Sequence, residues 1–198
     1  MIKTNNDFRQ IKSNEIPKII VKGHLKDLTQ LNNKVLYWIA VNEKLREPTA
    51  KEKWIESYPF LEAASWDKIY RVVHFFVKEP YFQSFQYKVL NRIINCKQNL
   101  HKWKIKDCPN CTNCREEDTI EHHLFQCIDS NKFWTDFRKW IIQTFQIRVD
   151  KYTVCEIIFG YGLKEPKMCQ IDLVHNMLIL LGKWFINQSK TNEKNLNL

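Results

Sequence analysis

Four cysteines and two histidines fall within residues 107–127, DCPNCTNCREEDTIEHHLFQC, and no other stretch of the chain constrains its fold as tightly. Tetrahedral zinc takes four soft or borderline ligands. A C-x2-C turn supplies two thiolates from one tight knuckle, and a nearby His and Cys complete the sphere. The spacing C-x2-C-x7-H-x4-C runs through Cys111, Cys114, His122 and Cys127. Cys108 with Cys111 is also C-x2-C, and His123 with Cys127 is H-x3-C, so spacing alone leaves several four-ligand sets open. Buried thiols filling apolar holes are the alternative, and the polar flanks Pro109, Asn110, Asn113, Arg115 and Glu116 argue against it. Cys96, Cys155 and Cys169 lie in apolar or isolated contexts and read as core thiols rather than ligands.

Four protein ligands leave no open coordination position, so the site is expected to be structural rather than hydrolytic. Its binding energy then becomes folding energy, on the order of 10–16 kcal/mol apparent for small zinc peptides. His122 and Cys127 are five residues apart, and an unbroken α-helix would point them in different directions. The helix is therefore expected to loosen before Cys127.

Around this module the sequence predicts a mainly α, irregular helical fold. Gly and Pro are scarce, at four and six, while twelve Phe, seven Trp and seven Tyr can fill a core. Residues 1–28 read as a basic, poorly structured segment. A helical region spans 29–107, the metal module 108–128, a second helical region 129–188, and a polar tail 189–198. A helix capped at Thr29 or a neighbour runs to Pro48, with Leu31, Val35, Tyr37, Trp38, Val41 and Leu45 at roughly helical spacing. The segment 66–77 is not assigned from its pattern. The clearest helix covers 81–100, with Phe82, Phe85, Val89, Ile93, Cys96 and Leu100 on one stripe. Asp118 with Glu121 has the spacing of a capping box, as do Thr153 and Glu156 ahead of a stop at Gly160. A helix from about Ser130 is expected to bury Phe133, Phe137, Trp140, Ile141 and Phe145. The last helix, residues 171–186, is apolar on most sides and is expected inside the fold or against a partner.

A formal charge of +9 favours an anionic partner, RNA or DNA before a membrane. Between residues 85 and 106 there are six Lys or Arg and no acid. Lys88, Arg92, Lys102, Lys104 and Lys106 are the candidates for phosphate contact, with His101 and Trp103 as stacking groups. The competing reading makes Lys88 and Arg92 the solvated side of a helix and buries Trp103. Residues 1–14 carry no apolar run of a secretory signal, and 171–186 is too short and too interrupted to cross a bilayer. An intracellular protein, nuclear or cytoplasmic, is the expectation, and seven mostly clustered cysteines suit a reducing compartment.

Residues 69–127 resemble the C-terminal region of reverse transcriptases from non-LTR (LINE-type) retrotransposons. FQYKVLNRI, then LHKWKI, then the paired cysteines and TIEHHLFQC carry the resemblance. Weaker likeness in LNNKVLYWIAVNEKLREPTAKEKW, FWTDFRKWI, EIIFG and LLGKWFI extends it over about residues 29–188. The resemblance implies structural zinc on Cys111, Cys114, His122 and Cys127, with Cys108 spare and His123 additional. It also implies a part in holding element RNA or target DNA beside an upstream polymerase. Polymerase chemistry needs paired carboxylates for two metal ions, and no Asp-Asp pair occurs. No catalytic residues are therefore expected, and the chain reads as a non-enzymatic part of such a protein. A non-catalytic interaction fragment of a decayed element is the second reading.

Overall fold

The computed structural model describes residues 18–21, 24–27, 29, 31–42, 48–146, 149–162 and 169–192, and their contacts form two units, 1–47 and 48–198. In the first unit, β1 (Lys18–Val21) pairs antiparallel with β2 (His24–Asp27), Lys18 opposite Asp27 and Val21 opposite His24. This two-strand ladder lies in the segment read as poorly structured, on the apolar patch Ile19, Ile20 and Val21, where β-branched residues suit a pleated pair. Helix α1 (Asn33–Asn42) follows. Its cap is Asn32, whose Oδ1 accepts the Val35 N–H at 2.9 Å, and not Thr29. Tyr37, counted on its apolar face, is 72% exposed. Leu45 lies outside the described residues.

The second unit is mostly helical. Helix α2 (Thr49–Ser57) starts after Pro48, and a 3-10 turn over Pro59–Ala63 leads to α3 (Trp66–Phe76), the segment whose pattern was ambiguous. Ser65 caps α3 by accepting the Lys68 N–H. Trp54 of α2 anchors this end of the core. It is fully buried, donates its indole N–H to the Leu90 carbonyl at 2.7 Å, and meets Phe159 edge-on at 5.1 Å.

The expected long helix over 81–100 is instead two helices, α4 (Pro80–Leu90) and α5 (Lys97–Lys102). Arg92 adopts a left-handed φ of 60°, the Arg92 N–H bonds to the Val89 carbonyl, and the Ile93 N–H bonds to the Lys88 carbonyl at 2.9 Å. This is a Schellman stop, normally built on glycine. α5 ends the same way, with Lys104 at φ 59° and the Ile105 N–H on the Leu100 carbonyl at 2.8 Å. Neither stop carries the glycine that would have announced it, so the apolar spacing continued across the break.

Helix α6 (Ile128–Phe145) buries Phe133, Trp134, Phe137 and Ile141. Trp140 and Phe145, expected on that face, are each 43% exposed, and Trp134 takes the inner position. α7 (Val154–Phe159) has the capping box predicted from Thr153 and Glu156, and Gly160 ends it at φ 117°. α8 (Gln170–Thr191) packs against α3, α4, α6 and α7. Its Gly182 lets Trp134 approach so closely that a Cβ there would sit 2.6 Å from the indole Cη2. The outer stripe Ile171, Val174, Met177 and Leu181 stays exposed. Among the described residues no helix is long and apolar enough to cross a membrane.

Candidate metal centre

The metal module begins with a knuckle. The Cys111 N–H donates to the Glu116 carbonyl at 2.7 Å and the Arg115 N–H to the Cys111 carbonyl at 3.0 Å, with Arg115 in the left-handed region at φ 65°. That reversal folds Cys111 and Cys114 toward the same point. An isolated antiparallel bridge between Asn110 and Glu117 closes its base, and the Asn113 amide bonds the Asp129 carboxylate in the first turn of α6.

The other pair comes from a helical turn that begins at Ile120. Its cap is Thr119, whose Oγ1 accepts the His122 N–H at 3.1 Å, rather than Asp118 as the spacing suggested. Over His122–Gln126 the winding widens to a π-helix, and the Cys127 N–H bonds back to the His122 carbonyl at 2.9 Å. In an α-helix five residues advance the side chain to about 140° from its starting direction. The i→i+5 ring brings Cys127 back to the side of His122, so the loosening takes the form of a π-turn.

The side chains of Cys111, Cys114, His122 and Cys127 thereby converge, with one ligand atom from each lying within 4.8 Å of every other. Cys111 Sγ and Cys127 Sγ are 3.8 Å apart, and Cys114 Sγ is 3.1 Å from His122 Nε2. Two sulfurs at the Zn–S distance of about 2.3 Å span a tetrahedral edge of about 3.8 Å. These four donors could hold a metal ion. Cys111, His122 and Cys127 are buried and Cys114 is partly open. Cys114 and His122 border an open cleft of about 460 Å³ that Glu116 and Glu117 also line.

Charge around the cluster favours a thiolate at Cys127 and a neutral imidazole at His122. Burial raises the Cys127 thiol, but the Lys190 ammonium and backbone donors at Asp129 and Ser130 outweigh it and bring the thiol below its ordinary value. Burial and the neighbouring thiols Cys111 and Cys127 raise Cys114. Burial, helped by Lys190, lowers His122 and favours the neutral ring that ligates. Lys190 is fixed by donating to the His123 carbonyl at 2.9 Å. Nothing in the local sequence pointed to this distant lysine of α8.

Cys108 is exposed and stands outside the quartet, accepting the Asn110 N–H at 3.4 Å. His123 is turned to another use, its Nδ1 lying 3.0 Å from Asp118 Oδ2. The same carboxylate oxygen accepts the Lys97 N–H at 2.8 Å and so caps α5. Burial disfavours ionisation of Asp118, yet His123 and the Lys97 amide hold its carboxyl below the usual range. Glu121, the other half of the expected capping box, faces Arg92 with contacts of 3.2 and 3.4 Å. Asp118 and Glu121 thus join the metal module to the helices before it. Of the three expected core thiols only Cys96 is fully buried, pushed up to about 11 by burial; Cys155 is half-buried, and Cys169 is exposed at the start of α8.

The candidate nucleic-acid residues separate into two groups. Arg92 is committed internally: besides Glu121 it lies 3.9 Å over the Trp54 ring, so its guanidinium is not presented to solvent as a phosphate contact. Lys88, His101, Lys102, Trp103, Lys104 and Lys106 are exposed. Trp103, for which burial was the competing reading, is 45% exposed, and Ile105 beside it 63%. The stop at Lys104 turns this basic run away from α5 and into the knuckle.

No curated protein and no solved structure matches the chain significantly. Residues 60–134, which contain all four converging side chains, match the family described as zinc-binding in reverse transcriptase.

Proposed function

We propose that the chain is a zinc-stabilised nucleic-acid-binding region of a non-LTR retrotransposon reverse transcriptase, lying after the polymerase and carrying no catalytic centre of its own. The observation that supports this most is the exposed turn 101–106, where three lysines alternate with Trp103 and Ile105 directly before the metal knuckle. Lysines release counterions from phosphates, and an exposed indole offers a face to an unpaired base. Zinc is the ion that three thiolates and one imidazole at tetrahedral spacing suit. Its place is structural, fixing the knuckle against the π-turn and, through Asp118 and Lys97, the start of the helix that carries the basic turn. Element RNA or target DNA inside the cell is the partner this chemistry fits.

The test is binding of single-stranded RNA and DNA by the full chain across a salt series. With Lys88, Lys102, Lys104 and Lys106 as the contacts, the log-log slope is about −2.8, at roughly −0.7 per phosphate. Lys102→Glu/Lys104→Glu/Lys106→Glu abolishes most of the affinity, and Trp103→Ala weakens it about tenfold. A salt-independent affinity, or one indifferent to the triple reversal, refutes the reading. The exposed stripe Ile171, Val174, Met177 and Leu181 favours a second reading, an interaction fragment without independent activity. Self-association in light scattering together with no strand affinity would select it.

A further inference from the structure

The basic turn is held in shape by its own first residue. His101 stands in the last turn of α5, and its Nδ1 lies 3.1 Å from the Lys106 carbonyl oxygen, so the side chain at one end of the turn reaches the backbone at the other. A carbonyl oxygen only accepts, so the proton of the neutral ring is on Nδ1 and Nε2 is left as a bare acceptor. Backbone bonds tie the same residues: the Leu100 carbonyl accepts both the Ile105 N–H at 2.8 Å and the Lys106 N–H at 3.3 Å, and the Lys104 N–H donates to the His101 carbonyl at 2.9 Å. Asn99 anchors the base. Its buried side-chain amide donates to the Arg92 and Ile94 carbonyls at 2.9 and 2.8 Å, and its own carbonyl accepts the Trp103 N–H at 2.9 Å. Two forces work against this turn. Lys104 sits in the left-handed region, which disfavours any side chain but glycine, and the like charges of Lys102, Lys104 and Lys106 repel one another. A bond from His101 to Lys106 spans the segment in which both act.

We infer that His101 is a positioning residue of the strand-binding surface: it clamps residues 101–106 in the conformation that displays Trp103 and Ile105 among the lysines, and does not itself stack on a base. This role rests on the proposed function, whereas the clamp does not. A loose loop loses its conformational freedom when a strand orders it, and that loss weakens binding; a clamped loop has lost it already on folding. Trp103 and Ile105, at 45% and 63% exposure, are then the apolar faces offered to the strand.

The test compares wild type, His101→Asn and His101→Ala as metal-loaded full chains binding a single-stranded oligonucleotide across a salt series. The amide nitrogen of Asn stands where Nδ1 stands and can donate to the Lys106 carbonyl, but Asn has no ring to stack. Wild type and His101→Asn bind alike. His101→Ala binds about fivefold more weakly, the change that one net hydrogen bond supports, with the salt slope unchanged because no phosphate contact is lost. Equal weakness of Asn and Ala assigns the ring to stacking, and a slope shallower by about 0.7 in both assigns it to a phosphate; either overturns the inference, as does equal affinity in all three chains. Strand-free measurements separate this inference from the proposed function. Nitrogen NMR of the ring places the proton on Nδ1, and amide exchange at Ile105 and Lys106 is faster in His101→Ala than in the other two. Equal exchange in all three with strand binding intact overturns the clamp alone. Faster exchange in His101→Ala with no strand bound by any chain overturns the strand surface, and with it the role of His101 there.

Discussion

Lys183 gives the sharpest stability prediction. It sits in the middle of α8, 2% exposed, and among the described residues its ammonium nitrogen has one partner, the Gln86 Oε1 at 2.5 Å. Burial lowers its pKa from 10.5 to about 7. Between those values the unfolded chain holds a proton that the folded chain has released, so stability rises with pH by about 1.4 kcal/mol per unit. The contribution is fully unfavourable below pH 7 and fades as pH approaches 10.5. From pH 7 to about 9.5 it changes stability by about 3 kcal/mol. Lys183→Met keeps the length of the side chain and removes the proton. Leaving Gln86 Oε1 unpaired costs about 1 kcal/mol at every pH, so the variant is more stable than wild type by about 3 kcal/mol at pH 7. The difference disappears toward pH 9.5. Urea unfolding of both metal-loaded chains across this range measures it. Tyr58 and Tyr152, both pushed up to about 12, act only above the range, where unfolded tyrosine ionises. A constant difference between the two chains, or a less stable variant at pH 7, refutes the reasoning.

The metal centre and the left-handed stop supply two further tests. Purified Cys111→Ser and His122→Ala lose one equivalent of zinc, whereas Cys108→Ser retains it; loss through Cys108 in metal analysis would overturn the ligand set. Lys104→Gly relieves a left-handed lysine and raises stability by about 1 kcal/mol in denaturant unfolding, with no change expected only if the turn were not formed.

How much of this was legible in the chain depends on how local each cause is. The Thr153 box and the Gly160 stop were readable because cap and helix are a few residues apart. The quartet at the metal centre had the right residues at workable spacings, and a likeness to known sequences chose among the registers. The break after α4 was not readable, since Arg92 and Lys104 occupy stops where glycine is the usual sign. What holds Arg92 there is tertiary: it is fastened between Trp54 and Glu121, residues separated widely in sequence. For the same reason a cation that looked available for phosphate proved to be committed. Asp118 and Glu121 matched a capping box so well that the pattern hid their longer-range partners Lys97 and Arg92. Trp140 and Trp134 could not be ranked by spacing, because they flank one helical face, and what selects Trp134 is distant: the approach of Gly182 and the Leu124 carbonyl that accepts its indole N–H.

The π-turn has a consequence for which histidine the metal meets. Wound as an ordinary α-helix, residues 122–127 would stack His123 over Cys127, four apart; wound as found, they stack His122, five apart. The pitch of one turn is therefore a selector between adjacent imidazoles. Asp118 holds His123 in one setting of that selector, and a metal on His122 and Cys127 would hold the other end. Inserting a single residue between 124 and 126 would put His123 five before the cysteine, and the same winding would then exchange the two histidines without altering either one.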